Sequence, residues 1–128
     1  MVIDTNVDGP FIMARAATPH MIAAGRGRII NITMNHATMR RRGFSPYGPS
    51  KAAVESETII WAQELDGTGV TVNALLPGGA AATGMIPAGF PESQRQKLLK
   101  PDIIIPPLQW LASNASRSVT AKRIDALR

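Results

Sequence analysis

Two short apolar runs set the frame of this chain: Arg28–Thr33 (Arg-Ile-Ile-Asn-Ile-Thr) and Val70–Leu76 (Val-Thr-Val-Asn-Ala-Leu-Leu). Each follows a stretch of helical periodicity, and a Gly-x-Gly turn separates the two both times, Gly25-Arg26-Gly27 and Gly67-Thr68-Gly69. The runs are rich in β-branched residues and bounded by turn residues, so they read as strands. Ahead of the first, Phe11, Ile12, Ala16, Ala17, Met21 and Ile22 recur near helical spacing between Phe11 and Ala24. Ahead of the second, Ala52, Ala53, Ile59, Ile60, Ala62 and Leu65 do the same between Tyr47 and Leu65. Pro10 and Pro49 stand in first turns, where a missing N–H is harmless, whereas Pro19 should bend its helix or end it early.

The remainder is weaker in pattern. Residues 34–46 are polar, carry the run Arg40-Arg41-Arg42 and read as a loop, and Pro77-Gly78-Gly79 breaks the second strand sharply. Ala80 to Phe90 has the small, Gly-rich composition of a mobile loop. Short helices are expected over Pro91–Lys100 and Pro106–Ala112, and a last, weak strand over Val119–Ala126. Helix, strand, helix, strand, helices, strand is the order of an α/β parallel sheet of about three strands flanked by helices. The strands are apolar on both faces, as helices covering both sides require. Three strands are few for such a sheet, so at least one edge strand is left long and apolar.

Composition removes several classes of function. At 128 residues the chain is expected to be a single domain, and 45% hydrophobic content is ordinary globular composition. There is no cysteine, which excludes disulfides, Cys-ligated metals and thiol nucleophiles. His20 and His36 stand far apart with no carboxylate at ligand spacing, so no metal site is expected. No apolar run is long enough to span a membrane. The first residues, Met-Val-Ile-Asp-Thr-Asn-Val-Asp, lack a basic region before an apolar core, which gives a cytoplasmic expectation. The net charge of +5 and the Arg run raise nucleic-acid binding, but the basic residues are scattered and aromatic residues are only 5%, too few for base stacking. No nucleic-acid or membrane partner is expected.

The single tyrosine, Tyr47, opens a helix, and Lys51 follows one turn later. Side chains at i and i+4 share a helical face. An ammonium beside a phenol favours the phenolate, and a phenol so tuned gives or takes a proton at a hydroxyl or carbonyl oxygen. Spacing alone is a two-residue signal, and on that basis a surface Tyr–Lys pair is the favoured reading.

The surroundings of this pair carry a resemblance. Asp4-Thr5-Asn6 is followed by Gly9; Gly27 to Ile32 reads Gly-Arg-Ile-Ile-Asn-Ile; Tyr47 to Ala53 reads Tyr-Gly-Pro-Ser-Lys-Ala-Ala; Gly69 to Gly78 reads Gly-Val-Thr-Val-Asn-Ala-Leu-Leu-Pro-Gly. In this order the motifs resemble the short-chain dehydrogenase/reductase family, Rossmann-type oxidoreductases that use NAD or NADP. Trp110-Leu-Ala-Ser113 and Val119-Thr120 resemble the family's closing helix and last strand. The likeness implies the C-terminal, catalytic half of that fold over residues 1–128. The N-terminal half, with its Gly-rich strand–turn–helix for the cofactor pyrophosphate, is expected to be absent, since Gly25-x-Gly27 precedes a strand.

The resemblance also implies roles. Tyr47 would be the general acid/base, Lys51 would tune it and hold the nicotinamide ribose, and Asn6, at a bend in its helix, would anchor a water in a proton relay. Pro77, Gly78 and Thr83 match the stretch that meets the nicotinamide carboxamide, and the loop from Ala80 to Pro91 would cover an apolar or mixed substrate. In register with Asn6 and Tyr47, the family's catalytic Ser falls at position 34, which is Met34 here. A thioether donates no hydrogen bond. Thr33 or Asn35 would take its place only if the strand end is distorted, and Thr38 only if the loop folds back. Two readings follow: an oxidoreductase half that is inactive alone, or a non-catalytic association protein. The apolar edge and helices imply a homo-oligomer, or a complex with a chain supplying the first half.

Overall fold

The computed structural model describes all 128 residues. Three parallel strands, β1 (Gly27–Ile32), β2 (Val70–Leu76) and β3 (Arg123–Asp125), form one open sheet in the order β1-β2-β3. Gly27 pairs with Val70 and Ile32 with Leu75, and the β2–β3 ladder runs from Ala74–Arg123 to Leu76–Asp125. β2 is buried along its whole length, as a central strand covered on both faces should be. Helices α1 (Gly9–Ala24), α2 (His36–Met39), α3 (Tyr47–Glu64), α4 (Glu92–Arg95) and α5 (Ile105–Ala112) surround the sheet. Ala62 and Leu65 at the end of α3 pack with Val70 and Val72 of β2 to make a small core, joined by Met21, Ile29 and Trp61.

The two Gly-x-Gly turns lie against each other. Gly27 N–H donates to the Gly69 carbonyl at 3.3 Å, and a Cβ on Gly69 would overlap the Gly25 carbonyl. Gly69 also has φ +86°, a conformation costly for any residue with a side chain. These glycines let both helices return directly into neighbouring strands.

Pro19 does not end α1, which runs on to Ala24. Thr18 Oγ donates to the Ala14 carbonyl in the preceding turn, and Met21 beyond the proline packs on the core. That packing and the left-handed Gly25 cap outweigh the lost hydrogen bond. Residues 34–46 also differ from the expected loop, since α2 forms inside them. The region 91–100 is helical only over Glu92–Arg95 because Leu99 is drawn into a bridge with Ala81.

β3 is shorter than Val119–Ala126 for a side-chain reason. Asn73 of β2, 2% exposed, donates from Nδ2 to the Val119 carbonyl and accepts the Lys122 N–H, both at 3.0 Å. The amide thus occupies ladder positions ahead of Arg123. Ala121, within that irregular stretch, has φ +59°. The left-handed region costs an L-residue about 1–2 kcal/mol, partly offset in glycine by its looser unfolded state. Ala121→Gly is expected to raise stability by about 0.5–1 kcal/mol in denaturant unfolding; a loss of stability would show that the Ala121 methyl contact with the core dominates.

Candidate active site

Tyr47 and Lys51 open α3, a helix seated closely on α2. Gly48 is buried there, and a Cβ on it would overlap the Met39 carbonyl. The face they share is half-buried. Lys51 Nζ donates to the Ile32 carbonyl at the end of β1 at 3.1 Å and stands 5.8 Å from the Tyr47 ring centroid. Burial pushes the Lys51 pKa below its ordinary value.

Asn6 lies in a π-helical turn, Asp4–Asp8, that leads into α1, so the expected bend is present. Its Nδ2 donates to Ser50 Oγ at 3.1 Å, and Ser50 Oγ donates in turn to the Tyr47 carbonyl at 2.5 Å. Asn6 therefore reaches the Tyr47 helix through Ser50, which is fully buried. Buried hydroxyls need such partners, and this one is saturated as donor and engaged as acceptor.

The segment after β1 carries Met34, and the side chains of its two neighbours, Thr33 and Asn35, are committed. Thr33 Oγ donates to Glu55 Oε1 at 2.8 Å, and Asn35 Nδ2 donates to the Gly78 carbonyl at 2.9 Å. Neither group is free to stand in for the missing hydroxyl. Thr38 sits half-buried in α2 as the remaining hydroxyl of this stretch. The Met34 carbonyl accepts from Arg123 Nη2 at 2.5 Å, and His36 Nε2 meets Glu55 Oε2 at 2.7 Å. Arg123 Nε donates to Glu55 Oε1 at 2.7 Å.

Glu55 is thus a node. Burial pushes its pKa up, but the hydrogen bonds from Arg123, Thr33 and His36, together with the Arg123 charge, prevail and hold it below the ordinary carboxylate value. The unfolded carboxyl takes up a proton first as pH falls, so acid favours unfolding. The stability Glu55 contributes is present above the ordinary carboxylate pKa and is lost as pH drops through the lowered folded value. Glu55→Gln is expected to flatten this part of the acid unfolding profile; an unchanged acid slope would refute it.

The Pro77-Gly78 stretch stands at the end of β2, with Gly78 at φ +93° and its carbonyl tied to Asn35. It shares the β1-exit neighbourhood of Lys51. Thr83 does not share these ties: it is exposed, and its hydroxyl accepts the Met85 N–H at 3.3 Å within its own turn. Arg95 gathers that loop, donating to the carbonyls of Pro87, Ala88 and Phe90 at 2.9, 3.0 and 3.2 Å. A hollow of about 270 Å³ between α1 and α3, lined by Phe11, Ile29 and Trp61, contains none of the candidate residues. A second, of about 320 Å³, is lined by His36, Met39, Arg40 and Glu55 and adjoins the β1 exit.

Sequence reasoning missed Ser50, Glu55 and Arg123. Ser50 lies inside the Tyr-x-x-Ser-Lys stretch, and Glu55 stands one helical turn after Lys51, so both share a traceable spacing with the pair. Arg123 offers no local signal, because only the sheet brings it to Glu55.

Comparison with known proteins identifies the family of the fold. A family model described as short chain dehydrogenase matches residues 1–93. A short-chain type dehydrogenase/reductase of Picea abies is 33% identical over 129 residues, covering 94% of this chain and 48% of its own length. NADPH-dependent aldehyde reductase 2, chloroplastic, of Arabidopsis thaliana is 33% identical over 134 residues, covering 98% and 49%. A gluconate 5-dehydrogenase from Burkholderia cenocepacia, solved with NADP and tartrate, superposes with a TM-score of 0.81 at 29% identity, covering 94% of this chain and 52% of that one. This chain spans about half the length of the curated relatives it matches. No helix is long and apolar enough to cross a membrane. With the motif order, the parallel sheet and these matches together, the chain belongs to the short-chain dehydrogenase family.

Proposed function

We propose that this chain supplies the proton-transfer half of an NAD(P)-dependent oxidoreductase that interconverts a hydroxyl and a carbonyl. The observation that carries the reading is the half-buried Lys51 ammonium, fixed on the Ile32 carbonyl and 5.8 Å from the Tyr47 ring centroid. With that cation fixed beside its ring, Tyr47 takes a proton from a substrate hydroxyl in one direction and returns it to the oxygen in the other. Asn6 and Ser50 hold the π-helical turn against α3, which places Asn6 to anchor a relay water.

The residues present fit the nicotinamide–ribose end of the cofactor: Lys51 to hold the ribose hydroxyls, and the Pro77-Gly78 stretch to meet the carboxamide. When bound, the nicotinamide supplies or accepts the hydride. The pyrophosphate end has no partner here, since β1 exits into Thr33-Met34-Asn35 and β2 into Pro77-Gly78-Gly79, neither a Gly-rich turn opening a long helix. The remaining contacts would come from a nucleotide-binding half on the β1 side, where β1 is the sheet edge. The loop over the site offers Met85, Ile86 and Phe90, which favours an apolar or mixed substrate.

The second reading, a non-catalytic association protein, is favoured by Met34 and by the exposed apolar residues of α1 and α3. Ile12 and Met13 are 61% and 70% exposed, and Ile60 is 48% exposed. Such a surface and an open edge favour a homo-oligomer or a complex. One experiment separates the readings. The chain alone, given reduced NAD(P) and a carbonyl, is expected to show no oxidation and a light-scattering mass above 13.7 kDa. Joined to the nucleotide-binding half of a relative, it is expected to turn over, and Tyr47→Phe to abolish that turnover. Turnover unaffected by Tyr47→Phe would sink the proposal, and a folded but inert chimera would favour association.

A further inference from the structure

Five consecutive residues at the exit of β1 are each tied to a distant element. The Ile32 carbonyl holds Lys51, Thr33 holds Glu55, the Met34 carbonyl is held by Arg123, Asn35 holds the Gly78 carbonyl, and His36 meets Glu55. Two of the partners, Glu55 and Arg123, account for three of these ties and are bonded to each other. Neither matches any motif of the family resemblance, and the side-chain hydrogen bonds and ion pairs of both go to residues other than Tyr47 and Lys51.

We propose that Arg123 and Glu55 are positioning residues for the Tyr47–Lys51 pair, holding the β1 exit where Lys51 finds its acceptor. The inference rests on the reading of Tyr47 and Lys51 as the proton-transfer pair. Glu55 lies one turn beyond Lys51 on the same helix, so the carboxylate and the ammonium grip the same segment from one rigid element. Lys51 takes the carbonyl of Ile32 and Glu55 the hydroxyl of Thr33, the next residue. Arg123 closes the grip from β3, the edge strand opposite β1. Its planar fork spends Nε on Glu55 and Nη2 on the Met34 carbonyl, two acceptors on two elements. A lysine would present a single ammonium and could not keep both contacts in this geometry. The Glu55 and Arg123 side chains are 17% and 32% exposed. Through this grip the last strand, which lies far from Tyr47 in sequence, sets where the ammonium sits beside the ring.

The chain carries its own probes for a test. Tyr47 is the only tyrosine, and six methionines include Met34. With carbon-13 at the tyrosine ring and the methionine methyls, Arg123→Met is expected to move or broaden both the Met34 methyl and the Tyr47 ring signals. Those of Met1, Met13, Met21 and Met85 should stay in place. Arg123→Lys, which keeps the charge opposite Glu55 but drops the Met34 contact, is expected to give a Tyr47 shift between wild type and Arg123→Met. If Arg123→Met does not fold, Arg123→Lys decides alone: displaced Met34 and Tyr47 signals support the proposal. Tyr47 signals that coincide with wild type in a folded variant overturn it, whatever Met34 does. The readout needs neither cofactor nor turnover, so a failure of the positioning role is told apart from a failure of the oxidoreductase reading. Turnover by the complemented chain with an unmoved Tyr47 would retain that reading and remove the positioning role.

Discussion

Met34→Ser, placed in a chimera that restores a nucleotide-binding half, is expected to raise turnover by about 10²–10³-fold, the effect of one pre-organised donor at a reacting oxygen. The reasoning starts from the side chains that would otherwise compensate. Thr33 has given its hydroxyl proton to Glu55, and Asn35 has given its amide to the Gly78 carbonyl. Moving either into the site would break a formed hydrogen bond, at a cost of about 1 kcal/mol or more. The backbone at position 34 is already fixed by Arg123, so a serine inherits a rigid platform rather than a floppy loop. Comparing kcat of the two chimeras checks the expectation. Equal kcat values would mean that another donor, Thr38 foremost, already serves the substrate oxygen.

Asn73→Ala is the second large effect, and it acts on stability. Asn73 is 2% exposed and its amide joins β2 to the approach of β3 through the Val119 carbonyl and the Lys122 N–H. Truncation leaves both part-buried backbone groups without this partner and opens a small void. Each orphaned group costs about 1–3 kcal/mol, so a loss of about 3 kcal/mol or more is expected. That is a large share of the 5–15 kcal/mol over which domains of any kind hold together. Chemical denaturation gives the number, and a loss below about 1 kcal/mol, the level of an average substitution, would mean that water replaces the amide. Because Arg123 directly follows this stretch, the same variant should loosen the Glu55 node.

The strands were legible where local chemistry and burial agree. Val70–Leu76 was bounded correctly because turn glycines precede it, Pro77-Gly78 follows it and every residue between except Asn73 is apolar or β-branched. Val119–Ala126 was not, because Asn73 decides where its ladder begins, and a side chain from another strand leaves no trace in the local pattern. α2 was missed for a similar reason: His36–Met39 has no periodicity of its own, and its place is set by packing on Gly48. In the site, Tyr47, Lys51 and Asn6 were readable through spacing and resemblance, and the structure joins them through Ser50 and the Ile32 carbonyl. Thr83 was read from resemblance and stands in its own turn. Glu55 and Arg123 became visible only once the sheet had brought β3 beside α3.

The contact between the two Gly-x-Gly turns bears on how such chains can be recombined. At that end of the sheet, backbone touches backbone with no side chain between, since Gly27 bonds to Gly69 and Gly69 admits no Cβ against Gly25. A splice between two relatives made at either turn imports half of a matched joint, and the halves fit only if both turns come from one parent. The opposite end, where the loop from Ala80 onward is exposed and held mainly by Arg95, has no such joint. Crossovers there are expected to give folded hybrids, so a library that shuffles substrate loops can leave the glycine end untouched.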